Sequence, residues 1–176
     1  MTPASTRTTI SVQPEELAKM IFNATQEVFT SMMGCEIQQL PDTETTLTDS
    51  FDGVLSLIGL AGPVIGNGVL ACSAEAARDL SSQLLYTQFT SVDEQVLDAV
   101  GEITNMIVGG FKNLLEVHIG QLQMSIPTVI FGKNIATRNS RADVVVTVRC
   151  AFPKGQFELT VRLAAAREPG LNVRSF

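Results

Sequence analysis

Two side chains three residues apart, Glu102 and Asn105, form the pair in this 176-residue chain best suited to act on another molecule. A carboxylate can bind a cation across an interface, and a carboxamide can accept and donate hydrogen bonds at once. On a helix the spacing sets them about 60° apart around the axis and one turn along it. Asp98 stands one turn before Glu102. Gly101 and Gly109 fall on the same polar side, and Gly110 follows directly. Each glycine costs about 1 kcal/mol against alanine within a helix. On a solvated face that cost has no return in packing unless something must approach the backbone closely. The face therefore has the character of a docking surface, cut back around two projecting polar groups. The bland alternative is that Glu102 and Asn105 are ordinary solvated residues and the glycines mark a kink.

The helix that must carry this pair is predicted over about 91–116, opened by Ser91-Val92-Asp93-Glu94 as a capping box. Val96, Val100, Ile103, Ile107, Phe111 and Leu114 gather on one stripe, with Leu97 and Leu115 at its edge, and form the expected core face. Glu94, Asp98, Glu102, Asn105, Lys112 and Glu116 occupy the opposite side. Another long helix opens near Pro14 and runs through Leu17, Met20, Ile21, Ala24, Val28 and Met32 until Gly34 stops it.

Between them, Val54–Leu60 and Val69–Cys72 have strand character, with Gly62-Pro63 and Gly66-Asn67-Gly68 as turns. A shorter helix follows over 74–86. Strands are predicted at 121–131, 143–152 and 156–165, the last two joined in a hairpin at Pro153-Lys154-Gly155, with 133–142 a polar loop. Grouped strands between helices predict an α+β fold: two long helices on a largely antiparallel sheet, in pseudo-duplicated halves. Residues 1–10 have the composition of a flexible lead-in, 11–166 of one domain, and 167–176 of a tail.

Hydrophobic residues make up 45% of the chain and charged residues 17%, a globular profile. The net charge of −6, with scattered Lys and Arg, argues against nucleic acid and anionic membrane as partners. No signal peptide is visible, and no apolar run approaches the roughly eighteen residues needed to span a bilayer, so a cytoplasmic location is expected. Cys35, Cys72 and Cys150 lack the spacing of a zinc ribbon or redox pair and are expected as free thiols. His118 is the only histidine, which leaves little support for a histidine metal centre or a nucleophilic triad. Gly66-Asn67-Gly68 lacks the Lys-Ser/Thr ending of a P-loop. Met20, Met32 and Met33 suit core or interface better than a cofactor box.

The segment Asp98-Ala-Val-Gly-Glu102-Ile-Thr-Asn105-Met-Ile-Val-Gly109-Gly110 resembles the signature helix of the CheC/CheX/FliY chemotaxis phosphatases. That pattern is Asp or Ser, three residues, Glu, two residues, Asn, with glycine nearby and a proline farther on, a place Pro127 fits. The first helix, the glycine-punctuated strands and the terminal hairpin follow in family order, so the resemblance covers roughly residues 11–165. The first helix lacks a second Glu-x-x-Asn, because Glu15, Glu16 and Glu27 are followed at that offset by Ala18, Lys19 and Thr30. One site makes the chain CheX-like.

The resemblance implies a hydrolase acting on the aspartyl phosphate of a CheY-type response regulator in two-component signalling. Asn105 would orient the attacking water, and Glu102 would pair with the regulator's lysine. Asp98, Gly101 and Gly109 would belong to the partner-binding surface, the glycines by backbone clearance. No cofactor of its own is implied; Mg2+ is expected on the partner regulator. A homodimer is expected from CheX relatives. Two other readings stand beside this one: a non-catalytic module that docks a receiver domain, and a purely structural dimer.

Overall fold

The computed structural model describes residues 11–41, 51–137 and 142–166. The expected lead-in at 1–10 and tail at 167–176 lie outside the described residues, as does part of the polar segment 133–142.

Helix α1, Pro14–Val28, starts with proline in its first turn and with Glu15 and Glu16 at the positive end of its dipole. It runs into a π-helical turn, Phe29–Met33, and ends at Gly34 in the left-handed conformation that favours glycine. The turn plants Phe29 against Phe157, rings stacked 5.2 Å apart, with Phe152 alongside. Three short or long strands follow: β1 Gln38–Gln39, β2 Phe51–Ala61 and β3 Val64–Cys72. Helix α2, Ala74–Leu85, is capped by Ser73, whose hydroxyl accepts from the Ala76 N–H. Helix α3, Glu94–Ile119, is the longest element. Then come β4 Gln123–Met124, β5 Thr128–Ile135, β6 Val144–Phe152 and β7 Gly155–Ala165. No helix among the described residues is long and apolar enough to cross a membrane.

The expected α+β architecture is what forms: three helices, two of them long, pack on one face of a seven-stranded sheet whose pairings are all antiparallel. Strand order is β1-β6-β7-β3-β2, with β4 and β5 sharing the outer edge of β2. The hairpins β2-β3 and β6-β7 meet at the centre through β3 and β7. Each hairpin is flanked by a strand from the other half. β1, which follows α1, pairs with β6; β5, which follows α3, pairs with β2. The halves are thus duplicated in topology and interlocked. A single core lies between sheet and helices, built from Leu17, Phe29, Ile58, Leu70, Ile103, Ile107, Phe111 and Leu159 among others.

Several elements differ from the sequence expectation. Gly66-Asn67-Gly68 lies inside β3 and is no turn. A Cβ on Gly66 would overlap the Arg162 carbonyl oxygen of β7, and one on Gly68 would come 2.7 Å from Val108 Cγ2 of α3. These glycines serve close approach, which in sequence has the same signature as a turn. The cap of α3 is Asp93, whose carboxylate accepts from the Val96 N–H at 3.0 Å, so the helix begins later than Ser91 and extends to Ile119. Leu114, expected in the core, is 41% exposed, and Leu115 takes the buried place. The predicted strand 121–131 is broken at Pro127 into β4 and β5, and its second part reaches Ile135 inside the expected loop. β1 carried no strand signal.

The exit of α3 is fastened by Glu116. Its Oε1 lies 2.7 Å from Lys112 Nζ and accepts the Leu122 N–H at 2.6 Å. The Lys112 hydrogen bond first, then the Leu122 N–H, hold the Glu116 carboxyl below its usual range. A depressed native pKa adds stability above the unfolded value of 4.5 and loses it as pH falls through the native value. Thermal midpoints followed against pH should therefore show Glu116→Gln trailing wild type at neutral pH, the gap closing in acid. At the sheet, Gly68→Ala should cost about 1–3 kcal/mol by forcing Val108 and α3 off β3, read in urea unfolding.

Candidate functional site

The polar face of α3 emerges largely as the helical period requires. Asp98 and Glu102 are exposed, and Asn105, one turn beyond Glu102, is half-buried. Among the described residues none of the three makes a side-chain hydrogen bond or ion pair. An unpartnered carboxylate and amide, side by side on a rigid helix, keep their full capacity for another molecule.

What fixes them is the other side of the same helix. Thr104, fully buried, returns its hydroxyl to the Val100 carbonyl at 2.7 Å. Ser81 of α2 bonds the Val96 carbonyl at 3.1 Å, tying the two helices together near the start of α3. Gly110 meets α1, where a Cβ would lie 3.2 Å from that of Ala24. Small residues on both helices let the backbones cross closely.

The glycines expected to clear space for a partner do something else. Gly101 is buried, and a Cβ there would lie 3.2 Å from Val129 Cγ2 and 3.6 Å from Pro127 Cγ. Gly109 is half-buried under Met124, 3.8 Å away by the same measure. The clearance is thus filled by the chain's own edge strand. The helix side that carries them, expected to be open, is roofed by β4 and β5. Glu102 and Asn105 lie between these two covered glycines in sequence, Glu102 exposed and Asn105 half-buried.

The roof has a lock that sequence reasoning missed. Between β4 and β5 the chain leaves the β2 ladder at Ser125-Ile126-Pro127. Proline cannot donate to a ladder, and Ser125 compensates. Its N–H donates to the Gly59 carbonyl at 3.0 Å, and its hydroxyl accepts the Gly59 N–H at 2.9 Å. The same hydroxyl donates to the Ile126 carbonyl at 2.9 Å. A serine two residues before a proline, inside an apolar strand, was the available signal.

His118 lies at the far end of α3, exposed, its Nε2 3.9 Å from Glu16 Oε1 of α1. Among the described residues no three His, Cys, Asp or Glu side chains gather as a metal site would need. Cys72 and Cys150 are buried, their thiols pushed up to about 12 by desolvation, and Cys35 is half-buried and also raised. Ser125→Ala should free the kink: a loss of about 0.5–1.5 kcal/mol in stability, with the Gly59 amide exchanging its hydrogen faster than in wild type.

The fold has counterparts among known proteins. The family model for the chemotaxis phosphatase CheX matches residues 54–150, more than half of the chain. The CheY-P phosphatase CheX of Thermotoga maritima is 22% identical over 125 residues, covering 70% of this chain and 80% of its own. The crystal structure of CheX from Vibrio vulnificus superposes with a TM-score of 0.73 at 22% identity, over 88% of this chain and 100% of that one. CheX of Borrelia burgdorferi, solved in complex with CheY, BeF3 and Mg2+, superposes with a TM-score of 0.65 at 20% identity, over 82% and 96% of the two chains. The matched region contains α3 entire, with Glu102, Asn105 and the roof above Gly101, and the chain belongs to the CheX family of chemotaxis phosphatases.

Proposed function

We propose that this chain hydrolyses the aspartyl phosphate of a CheY-type receiver domain, with Asn105 orienting the water and Glu102 anchoring the receiver. The observation that carries the reading is the Glu102–Asn105 pair itself, solvent-facing and unpartnered on α3 in a chain of this family. In the reaction, water attacks phosphorus in line, the bond from phosphorus to the aspartyl oxygen breaks, and the carboxylate leaves. Positioning and charge dominate such a transfer, because its transition state asks for little covalent help. The Asn105 carbonyl can accept from the water while its NH2 donates to a phosphoryl oxygen. A carboxylate in that place would be repelled by the phosphoryl group.

Glu102 suits a different task. Exposed beside Asn105, it can meet the receiver's lysine across an interface that becomes partly desolvated on docking. Asp98 extends the acidic stripe by one turn and adds to that attraction. Gly101 and Gly109 contribute to the same surface indirectly, by seating the edge strand against α3. Mg2+ belongs to the receiver in this scheme; the Borrelia burgdorferi CheX–CheY complex likewise contains BeF3 and Mg2+. Docking without hydrolysis is the competing reading; retention of both Glu102 and Asn105 favours catalysis.

The homodimer belongs to the same proposal. Among the described residues, the outer edge of β6 is paired only near Arg149, Cys150 and Ala151. Its remaining ladder groups suit a second copy.

Added to a phosphorylated CheY-type receiver with Mg2+, the protein should speed phosphate release. Asn105→Ala should lose about 10²–10³-fold in kcat with its fold intact by circular dichroism. Glu102→Ala should weaken receiver binding by roughly tenfold. Equal phosphoryl lifetimes with wild type and Asn105→Ala, alongside tight receiver binding, would select the non-catalytic module.

A further inference from the structure

Two exposed apolar side chains on the strand that crosses α3, Ile126 and Phe131, have no part in the chemistry above. The chain from β4 into β5 passes α3 in antiparallel sense: Gly109 meets Met124, and Gly101 meets Pro127 and Val129. Continued in that sense, at about 3.3 Å per strand residue against about 1.5 Å per helix residue, Ile126 falls at the level of Asn105 and Phe131 toward the first turn of α3. Phe131 belongs to the helix side of the sheet, because its ladder partner Val54 is buried in the core shared with α3. Val129, two residues earlier on that side, is the one that touches Gly101. Despite this placement Phe131 is 49% exposed, and Ile126 is 85% exposed.

Ile126 is held on both sides. Ser125 exchanges hydrogen bonds with Gly59, and Pro127 rests on Gly101. An exposed isoleucine on a fixed backbone has little ordering cost to meet on docking. We propose that Ile126 and Phe131 are the partner-recognition residues of the Glu102–Asn105 site. They seat an apolar patch that borders the phosphorylated aspartate on the receiver domain. The inference rests on the phosphatase reading, since this two-residue rail is brought beside that site by the crossing of its strand over Gly101 and Gly109. Charge separates this occupant from a second copy of the chain. An isologous pairing here would bring Asp98 and Glu102 near the same acids of the copy, on a chain of net charge −6. A receiver's lysine meets the stripe favourably.

The test uses the full chain, a CheY-type receiver phosphorylated by acetyl phosphate with Mg2+, and the same receiver loaded with beryllofluoride. Ile126→Ser should raise KM, and Kd for the beryllofluoride form, by about tenfold while kcat stays within about twofold. Phe131→Ala should act in the same direction, and Ile126→Val should restore wild-type KM. Asn105→Ala should do the reverse, losing kcat while Kd holds. If Asn105→Ala behaves so and Ile126→Ser leaves KM and Kd unchanged, the recognition rail is wrong and the phosphatase reading stands. If wild type neither hydrolyses nor binds the receiver, that reading falls and the rail with it. Loss of self-association in Ile126→Ser, by sedimentation with KM unchanged, would assign the rail to a second copy and overturn the proposal.

Discussion

Helix α3 lies closer to its neighbours than ordinary side chains would allow, and the rest of the molecule is arranged around that proximity. On one side Gly110 accepts Ala24 of α1; on another Gly68 of β3 makes room for Val108; on a third Gly101 admits Pro127 and Val129. A buried helix held at backbone distance by three elements cannot rotate or slide without clashes, because packed interiors resist small displacements. Glycine in a helix weakens it locally. Here the loss is offset by burial of Val100, Ile103, Ile107 and Phe111. A stiff helix is what the positioning mechanism proposed for Glu102 and Asn105 requires.

The sheet has a matching division of labour. Its helix-facing side supplies the large core, while its other side carries only a small cluster of Leu55, Val69 and Ala71 with Phe51 and Ile135. The edge strand that roofs α3 is therefore tied down twice, by ladder bonds to β2 and by side chains pressed onto glycine. The serine lock at the kink joins those two attachments where the ladder fails.

Much of this was legible in the chain. The long helices, the terminal hairpin and the Glu-x-x-Asn pair depend on local periodicity, capping and turn chemistry, and local rules located them. What escaped depended on partners distant in sequence. Nothing near Gly66 or Gly68 distinguishes a turn from a strand glycine beneath a helix. Leu114 and Leu115 are equally apolar, and only the tertiary packing of α3 decides which is buried. Gly101 looked open because its polar neighbours Glu102 and Asn105 are; the strand that covers it comes some 26 residues later. Ser125 and Pro127 had meaning only once Gly59 stood opposite.

The exchange of edge strands between halves has its own consequence. β1 completes the hairpin of the second half, and β5 completes that of the first. Neither half owns a finished sheet, so neither can detach as a subunit or fold ahead as an independent piece. A chain emerging from synthesis must wait for β6 before β1 finds its place, and for β5 before β2 gains its outer neighbour. The molecule should therefore open and close as one cooperative body. A sequence change beside α1, with no contact to Glu102 or Asn105, would then be felt at the site through the population of that whole body.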